Sequence, residues 1–139
     1  MNLIIHTDGG SRGNPGKAAI GVVILNAENS QTVDELKNTI GIATNNEAEY
    51  KAILRSLEWT QATHNFELER ITWKLDSKLV VEQLNKNWKI KEPRMMELAK
   101  KCWSILDSLS VPHSITYVPR AENASADALV NQALDADVS

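Results

Sequence analysis

Residues 3–16 of the chain read Leu-Ile-Ile-His-Thr-Asp-Gly-Gly-Ser-Arg-Gly-Asn-Pro-Gly, and the other predicted elements are arranged around this segment. It opens with three consecutive apolar residues, which is typical of a strand covered on both faces. The strand then runs into a segment with four glycines, which allow a backbone to come close to a ligand. Asp8 stands at the mouth of this buried strand, where an acidic side chain is costly unless a cation meets it. Taken alone, the segment also fits a simple hairpin turn with Asp8 as a turn residue.

Length and composition bound the class of protein. The chain has 139 residues, 42% hydrophobic and 24% charged, which is typical of one globular domain spanning residues 1–139. Its single cysteine, Cys102, excludes an internal disulfide and lies in an amphipathic helical pattern, which predicts a buried apolar residue. His6, His64 and His113 are scattered and form no zinc pattern. Because the sequence shows no signal peptide and no long apolar run, we expect a cytoplasmic protein without a membrane span.

The charge is distributed unevenly along the chain. The formal net charge is −3, which argues mildly against a nucleic-acid binder held by bulk electrostatics. Between Lys74 and Trp103, however, there are eight Lys and Arg residues and four Asp and Glu residues. This local excess is either a basic binding face or a solvated helix face, and the pattern leaves both interpretations open.

Hydrophobic periodicity predicts five strands and four helices. The second strand forms a hairpin with the first, and a more polar third strand is expected at the sheet edge. We therefore expect an α/β protein with a five-stranded mixed sheet, its first three strands antiparallel and the rest parallel, and helices on both faces. The strands are predicted at residues 3–5, 18–27, 32–42, 69–75 and 114–118, and the helices after Thr44, after Ser77, over 95–109 and after Asn123.

The first helix carries two glutamates with different expected roles. Thr44 and Glu47 have the capping-box spacing, a hydroxyl residue followed three positions later by Glu. Glu47 also lies four residues before Lys51, which predicts a surface ion pair. Glu49 instead shares the side of Ile53, which is the side that packs on the rest of the molecule. Because no structural role explains a carboxylate there, Glu49 is the functional candidate.

Two further carboxylates stand at predicted helix starts. Asp76 and Ser77 end the fourth strand and open a helix, so capping that helix is an alternative role for Asp76. Asp127 lies near the start of the last helix, for which Asn123 is the expected N-cap. Acidic residues near a helix N-terminus normally point outward, where the helix dipole favours them. Asp127 instead shares a face with apolar residues, which favours a functional role.

The predicted topology brings these four carboxylates together. A right-handed crossover makes the first and fourth strands parallel neighbours, so Asp8 and Asp76 lie side by side at their carboxyl ends. Glu49 and Asp127 approach from the first turns of helices. Four converging carboxylates cannot all stay ionised without cations, and oxygen ligands without His or Cys select Mg²⁺ or Mn²⁺. Such a cluster suits phosphoryl transfer by two metal ions about 3.5–4 Å apart.

These positions resemble the motifs of the type 1 ribonuclease H family, and the resemblance covers essentially the whole chain. Each motif alone is weak, but four of them in this order and at these spacings are specific. The motifs are Thr7-Asp8-Gly9-Gly10-Ser11 with Gly13-Asn14-Pro15-Gly16, Thr44-Asn45-Asn46 with Ala48-Glu49, Leu75-Asp76-Ser77, and Asn123 with Ala126-Asp127. The resemblance implies the fold of that family and hydrolysis of the RNA strand of RNA/DNA hybrids, leaving 5′-phosphate and 3′-hydroxyl ends. It also implies two Mg²⁺ ions, replaceable by Mn²⁺, on a catalytic set of Asp8, Glu49, Asp76 and Asp127.

The resemblance further implies where an RNA/DNA hybrid, the expected partner of a monomer, would lie. The backbone of Gly9, Gly10 and Ser11 would approach the 2′-hydroxyls that distinguish RNA from DNA. The matching positions that contact the hybrid are Asn14, Thr44 and Asn45, of which Asn14 and Thr44 would help hold a DNA phosphate.

A basic segment around one aromatic residue completes the implied interface. It would track the DNA strand by charge and stacking. Its members are Lys86, Trp88, Lys89 and Lys91. The alternative is that Trp88 merely packs this loop onto the domain.

Three features depart from the family pattern. Ile42 stands where some members place an Arg beside the phosphate pocket, and the long basic protrusion of many bacterial members is shortened to residues 85–93. The loop before the last helix lacks the His that some members use to assist turnover. Arg120 is the polar candidate for that task there.

Two other functions stay open on sequence alone. A transposase or integrase core shares the fold and the acidic cluster, although the turn at residues 13–16 favours the ribonuclease. A non-catalytic module that binds hybrids is the second alternative, and the presence of all four carboxylates argues against it.

Overall fold

The computed structural model describes residues 1–63 and 67–137, so His64 lies outside the described residues. The described residues form a five-stranded mixed sheet with four α-helices, as predicted. The strands are β1 (Asn2–Gly13), β2 (Gly16–Asn26), β3 (Thr32–Ala43), β4 (Arg70–Leu75) and β5 (His113–Tyr117). The helices are α1 (Asn45–Ala62), α2 (Lys78–Leu84), α3 (Pro93–Ser108) and α4 (Ala124–Ala136), with a 3₁₀ turn at Arg120–Asn123.

The strand order β3-β2-β1-β4-β5 confirms the predicted topology. β1 pairs antiparallel with β2, which pairs antiparallel with β3, whereas β1–β4 and β4–β5 are parallel. In the parallel register Thr7 lies opposite Leu75, the last residue of β4. The next residue in each segment is an aspartate, so Asp8, still within β1, lies beside Asp76, which directly follows the end of β4.

The glycine-rich stretch differs from its predicted form, because it is strand rather than loop. β1 continues to Gly13, which pairs with Gly16, so only Asn14 and Pro15 turn the chain. Pairing with β2 makes this stretch a strand, and the glycine at position 9 is explained by a close helix contact, since a Cβ atom there would overlap the carbonyl of Ala48 in α1. The glycine therefore lets α1 cross directly over β1 beside Asp8.

Helices cover both faces of the sheet, as predicted. α1 and α3 pack over the main core, in which Trp73, Tyr50 and the free Cys102 are buried. α4 covers the opposite face, where a Cβ atom at Gly21 would overlap the carbonyl of Ala126. Among the described residues, no helix has both the length and the apolarity needed to cross a membrane.

The start of α1 confirms the capping box and corrects one ion pair. Thr44 Oγ1 accepts a hydrogen bond from the Glu47 backbone N–H at 3.1 Å, and the Thr44 N–H donates back to Glu47 Oε1 at 3.3 Å. The predicted Glu47–Lys51 pair is wrong, because Glu47 lies 3.8 Å from Arg94 of α3 instead. The tertiary packing of α3 against α1 supplies this cation, which helix spacing alone does not show.

Candidate active site

Three of the four predicted carboxylates form a compact cluster. Asp8, Glu49 and Asp76 each offer one carboxylate oxygen, and these atoms all lie within 4.8 Å of one another. Asp8 is 7% exposed and Glu49 is 8% exposed, while Asp76 is half-buried. We call this group the carboxylate cluster. Its donors are oxygen atoms only, which is the donor set of hard divalent cations.

Glu49 reaches the cluster from the first turn of α1 and is fixed by the backbone of β1. Its Oε1 accepts a hydrogen bond of 2.8 Å from the Gly9 N–H. Its Oε2 is buried and has no hydrogen-bond partner. A buried carboxylate oxygen without a partner is unfavourable, and a bound cation would satisfy it. The described residues therefore fit a metal ion at this place.

Burial raises the pKa values of the three carboxyl groups in the carboxylate cluster. Burial raises the pKa of Asp8 from 3.8 to about 7, against an opposing influence of the neighbouring Glu49. Burial also raises the pKa of Glu49 well above its ordinary value, and the neighbouring Asp8 adds to the effect. The pKa of Asp76 is raised by burial, against the influence of Asp8 and Arg120. A bound cation would stabilise the ionised carboxylates and so oppose these upward pKa shifts.

The carboxylate cluster lies in a cleft of about 420 Å³. Asp127 also lines this cleft but is not a member of the carboxylate cluster. It lies in the first turn of α4, near enough to Asp8 to raise its pKa. One of its oxygens is 3.7 Å from Nη2 of Arg120, an exposed side chain that lines the same cleft. The Arg120 guanidinium is therefore the cationic neighbour of Asp127 among the described residues.

The predicted contacts to the RNA strand line this cleft, and its edge is tied together by hydrogen bonds. Ser11 donates from its backbone N–H (2.9 Å) and its hydroxyl (3.0 Å) to Asn45 Oδ1, and the Asn45 N–H donates to Asn14 Oδ1 at 3.0 Å. These bonds join the β1–β2 hairpin to the start of α1. The predicted substrate residues that line the cleft are Gly9, Gly10, Ser11 and Asn45, whereas Asn14 and Thr44 do not.

The predicted basic segment lies at a second groove, of about 510 Å³. Lys86, Trp88, Lys89 and Lys91 all line it, together with Trp103 and other apolar residues. Trp88 is 45% exposed. Lys86 Nζ lies 5.1 Å from the centre of the Trp103 ring, a cation–π distance. Lys86 thus has a structural contact in addition to its predicted role.

One polar network beside the carboxylate cluster was missed by sequence reasoning. His6 Nδ1 lies 2.9 Å from Asn123 Oδ1, and Asn123 Nδ2 donates to the Thr7 carbonyl at 2.8 Å. The predicted N-cap role of Asn123 is half right: the residue stands at the start of α4, but its side chain caps nothing there. Burial lowers the pKa of His6, against the contact with Asn123. A signal was present, since His6 stands two residues before Asp8, on the same side of the strand.

A sheet of this order, with a carboxylate cluster between the parallel strands β1 and β4 where β4 ends, defines the ribonuclease H-like class. A family model described as reverse transcriptase-like matches residues 6–133. The chain is 43% identical over 130 residues to ribonuclease HI of Halobacterium salinarum, covering 94% of this chain and 63% of that protein. The chain belongs to the type 1 ribonuclease H family.

Solved structures agree with this assignment. The crystal structure of RNase H1 from Halobacterium salinarum superimposes with a TM-score of 0.89 at 40% identity, covering 98% of this chain and 99% of that one. LC11-RNase H1, isolated from compost and solved in complex with an RNA/DNA hybrid, gives 0.88 at 40% identity, with 99% of each chain covered. A bifunctional protein of Mycobacterium tuberculosis is 41% identical over 138 residues, which make up 98% of this chain. The chain spans only 36% of the length of that relative.

Proposed function

We propose that the chain is an endoribonuclease that hydrolyses the RNA strand of RNA/DNA hybrids and leaves 5′-phosphate and 3′-hydroxyl ends. The observation that carries the proposal is the carboxylate cluster, in which a buried Glu49 oxygen lacks a partner. Membership of the type 1 ribonuclease H family and the hybrid bound by LC11-RNase H1 support it.

The cofactor in this proposal is Mg²⁺, two ions per site, with Mn²⁺ as a substitute. Asp8, Glu49 and Asp76 would hold the metal, and Asp127 would join them by leaving Arg120. Bound there, the ions would supply an activated water and a counter-charge for the departing 3′-oxygen. Displacement of Arg120 from Asp127 would also free a cation at the cleft, and its assistance to turnover stays a prediction.

The residues around the cleft would orient the hybrid. Gly9, Gly10 and Ser11 all line the cleft, and the missing side chains of the two glycines would let the RNA 2′-hydroxyls come close to the backbone. The Gly9 and Ser11 N–H groups are engaged by Glu49 and Asn45, so the carbonyl groups and the Gly10 N–H are the backbone groups proposed for this contact. The bonds among Ser11, Asn45 and Asn14 would keep this edge rigid on binding. On the DNA side, Asn14 and Thr44 would hold a phosphate, and the second groove would take the strand beyond it.

The test is incubation of the chain with RNA/DNA hybrid, double-stranded RNA and double-stranded DNA, each with and without Mg²⁺. We expect cleavage of the RNA strand of the hybrid only in the presence of Mg²⁺, with a 5′-phosphate on the downstream product. Binding of the hybrid without cleavage under any divalent cation would identify a non-catalytic hybrid-binding module instead. A monomeric state and a cytoplasmic location stay predictions from the sequence.

A further inference from the structure

We propose that His6 and Asn123 are positioning residues for the metal-binding carboxylates, acting through a hydrogen-bonded bridge between β1 and the start of α4. The bridge consists of the His6 ring, the Asn123 amide and the Thr7 carbonyl, and we call it the His6–Asn123 bridge. The inference rests on the proposed function, because it concerns the carboxylates that would hold the metal ions.

One end of the bridge fixes the backbone at Asp8. The Thr7 carbonyl, which accepts a hydrogen bond of 2.8 Å from the Asn123 amide, belongs to the peptide bond that joins Thr7 to Asp8. Because a peptide bond is planar, this hydrogen bond fixes the orientation of the backbone that leads into Asp8. The need for such a hold follows from the sheet. β4 ends at Leu75, opposite Thr7, so β1 has no parallel neighbour beyond this point.

The other end of the bridge fixes the helix that carries Asp127. Asn123 directly precedes α4, and Asp127 stands in the first turn of that helix. Asn123 is 1% exposed and makes no capping bond, so helix capping does not explain an amide there. By tying this residue to β1, the bridge sets where α4 begins relative to Asp8. The spacing between the Asp8 and Asp127 carboxylates follows from that placement.

The bonding pattern assigns the proton on His6. Because Asn123 Nδ2 donates to the Thr7 carbonyl, Asn123 Oδ1 is the atom that faces His6, and an amide oxygen can only accept. His6 Nδ1 must therefore carry the proton and donate it. An apolar residue at position 6 would leave this buried amide oxygen without a partner, which favours rotation of the amide away from Thr7.

The experiment compares His6→Phe with His6→Asn, whose amide nitrogen can take the place of the ring Nδ1 as a donor. Mn²⁺ binding is measured by electron paramagnetic resonance without nucleic acid, alongside thermal midpoints and the kcat and KM for hybrid cleavage. We expect His6→Phe to weaken Mn²⁺ binding roughly tenfold and to lower kcat by a similar factor, with KM unchanged. His6→Asn should recover most of the lost affinity.

Three results of this experiment would overturn the inference. If His6→Phe lowers the thermal midpoint but binds Mn²⁺ like the wild type, the bridge serves stability alone. If both variants lose affinity equally, or if the wild type binds no Mn²⁺, the hydrogen bond does not position metal ligands.

A measurement on the wild type covers the case in which His6→Phe does not fold. Long-range ¹H–¹⁵N spectra of His6 at pH 8 should show the Nδ1–H tautomer, and the Nε2–H tautomer would refute the bridge. The proposed function can fail independently of the bridge. If the Mn²⁺ affinities of the variants differ as expected but the wild type cleaves no hybrid, the bridge is supported and the ribonuclease activity is rejected. If the wild type cleaves the hybrid but all variants bind Mn²⁺ with equal affinity, the ribonuclease activity is supported and the bridge is rejected.

Discussion

At the scale of single residues, Asp8 holds a carboxylate where burial opposes its charge. Its pKa is raised from 3.8 to about 7, so between these values the unfolded chain is ionised while the folded chain keeps its proton. A raised carboxyl pKa favours the unfolded state as the pH rises through this window. Ionisation of Asp8 therefore lowers the stability of the metal-free wild type progressively from about pH 4 to pH 7.

Asp8→Asn should escape this loss. In the presence of a chelator, we expect the free energy of unfolding of the variant to equal that of the wild type near pH 3.5. Above pH 7 it should exceed the wild-type value by roughly 2–4 kcal/mol. Urea unfolding at several pH values measures the difference, and a difference that is independent of pH would contradict the explanation. The same variant should lose nearly all Mg²⁺-dependent cleavage, because it removes a charge from the carboxylate cluster.

The two glutamates of α1 give a matched pair of variants. Glu47→Gln keeps an oxygen that can accept from the Thr44 N–H, so the capping box survives and activity should change little. Glu49→Gln replaces a metal ligand and should lower activity by orders of magnitude, although the fold persists. Steady-state cleavage rates and thermal midpoints of both variants test this assignment. Equal losses of activity would mean that the helix start, and not the Glu49 carboxylate, matters.

Sequence reasoning separated these glutamates because the helical period is local information. Glu47 and Glu49 are two residues apart and therefore lie on different sides of α1. Contacts between distant residues carry no such signal. Asn123 lies 117 positions from His6, and its amide looked like an N-cap because that role needs only neighbours in sequence. The Glu47–Arg94 pair escaped prediction for the same reason.

At the scale of elements, the bounds of β1 show where local patterns mislead. Gly9 and Gly10 suggest a loop, since glycine is disfavoured inside a strand. β1 nevertheless continues to Gly13, because β2 pairs with it throughout and α1 needs the space that a side chain at Gly9 would fill. The capping box at Thr44 was predictable, whereas the close approach of α1 to β1 depends on tertiary packing.

In the segment from Lys86 to Lys91, we expect Trp88 to contact the hybrid and not to stabilise the fold. Trp88 is half exposed at the second groove, so its removal leaves little core unfilled. We expect Trp88→Ala to raise the KM for hybrid, with a loss of roughly 1–3 kcal/mol in binding and little change in thermal midpoint. A lower thermal midpoint with an unchanged KM would show that Trp88 packs the loop instead.

The lysines of this segment should contribute to the salt dependence of binding. Lys86 is kept, because its contact with Trp103 would confuse a loss of charge with a loss of packing. Replacing Lys89 and Lys91 with Ala should weaken hybrid binding and flatten the slope of log Kd against log salt by about one to two. Lys100→Ala with Lys101→Ala on α3 removes the same charge elsewhere and serves as the control. An identical change of slope in both double variants would mean that net charge alone is responsible.

At the scale of the whole molecule, the strand order was predictable because few topologies satisfy the rules of chain connection. Three consecutive strands favour hairpins, and a helix between two strands favours a right-handed parallel crossover. These rules place β1 beside β4 and thus Asp8 beside Asp76 before any distance is known. What they do not give is the final approach of α4, and Asp127 accordingly lies at the cleft with Arg120 rather than within the carboxylate cluster.

Metal binding should couple this site to the stability of the entire fold. A cation that binds only the native state stabilises it by RT ln(1 + [L]/Kd), about 2.7 kcal/mol at one hundred times the Kd. In this site the cation must displace protons from Asp8 and Glu49, whose pKa values are raised, so its affinity should increase with pH. We therefore expect Mg²⁺ to raise the thermal midpoint by several degrees at pH 8 and by much less at pH 5.5. Asp8→Asn, compared with the wild type at matched ionic strength, should show little rise at either pH. A rise as large in the variant as in the wild type would place the bound Mg²⁺ outside the carboxylate cluster.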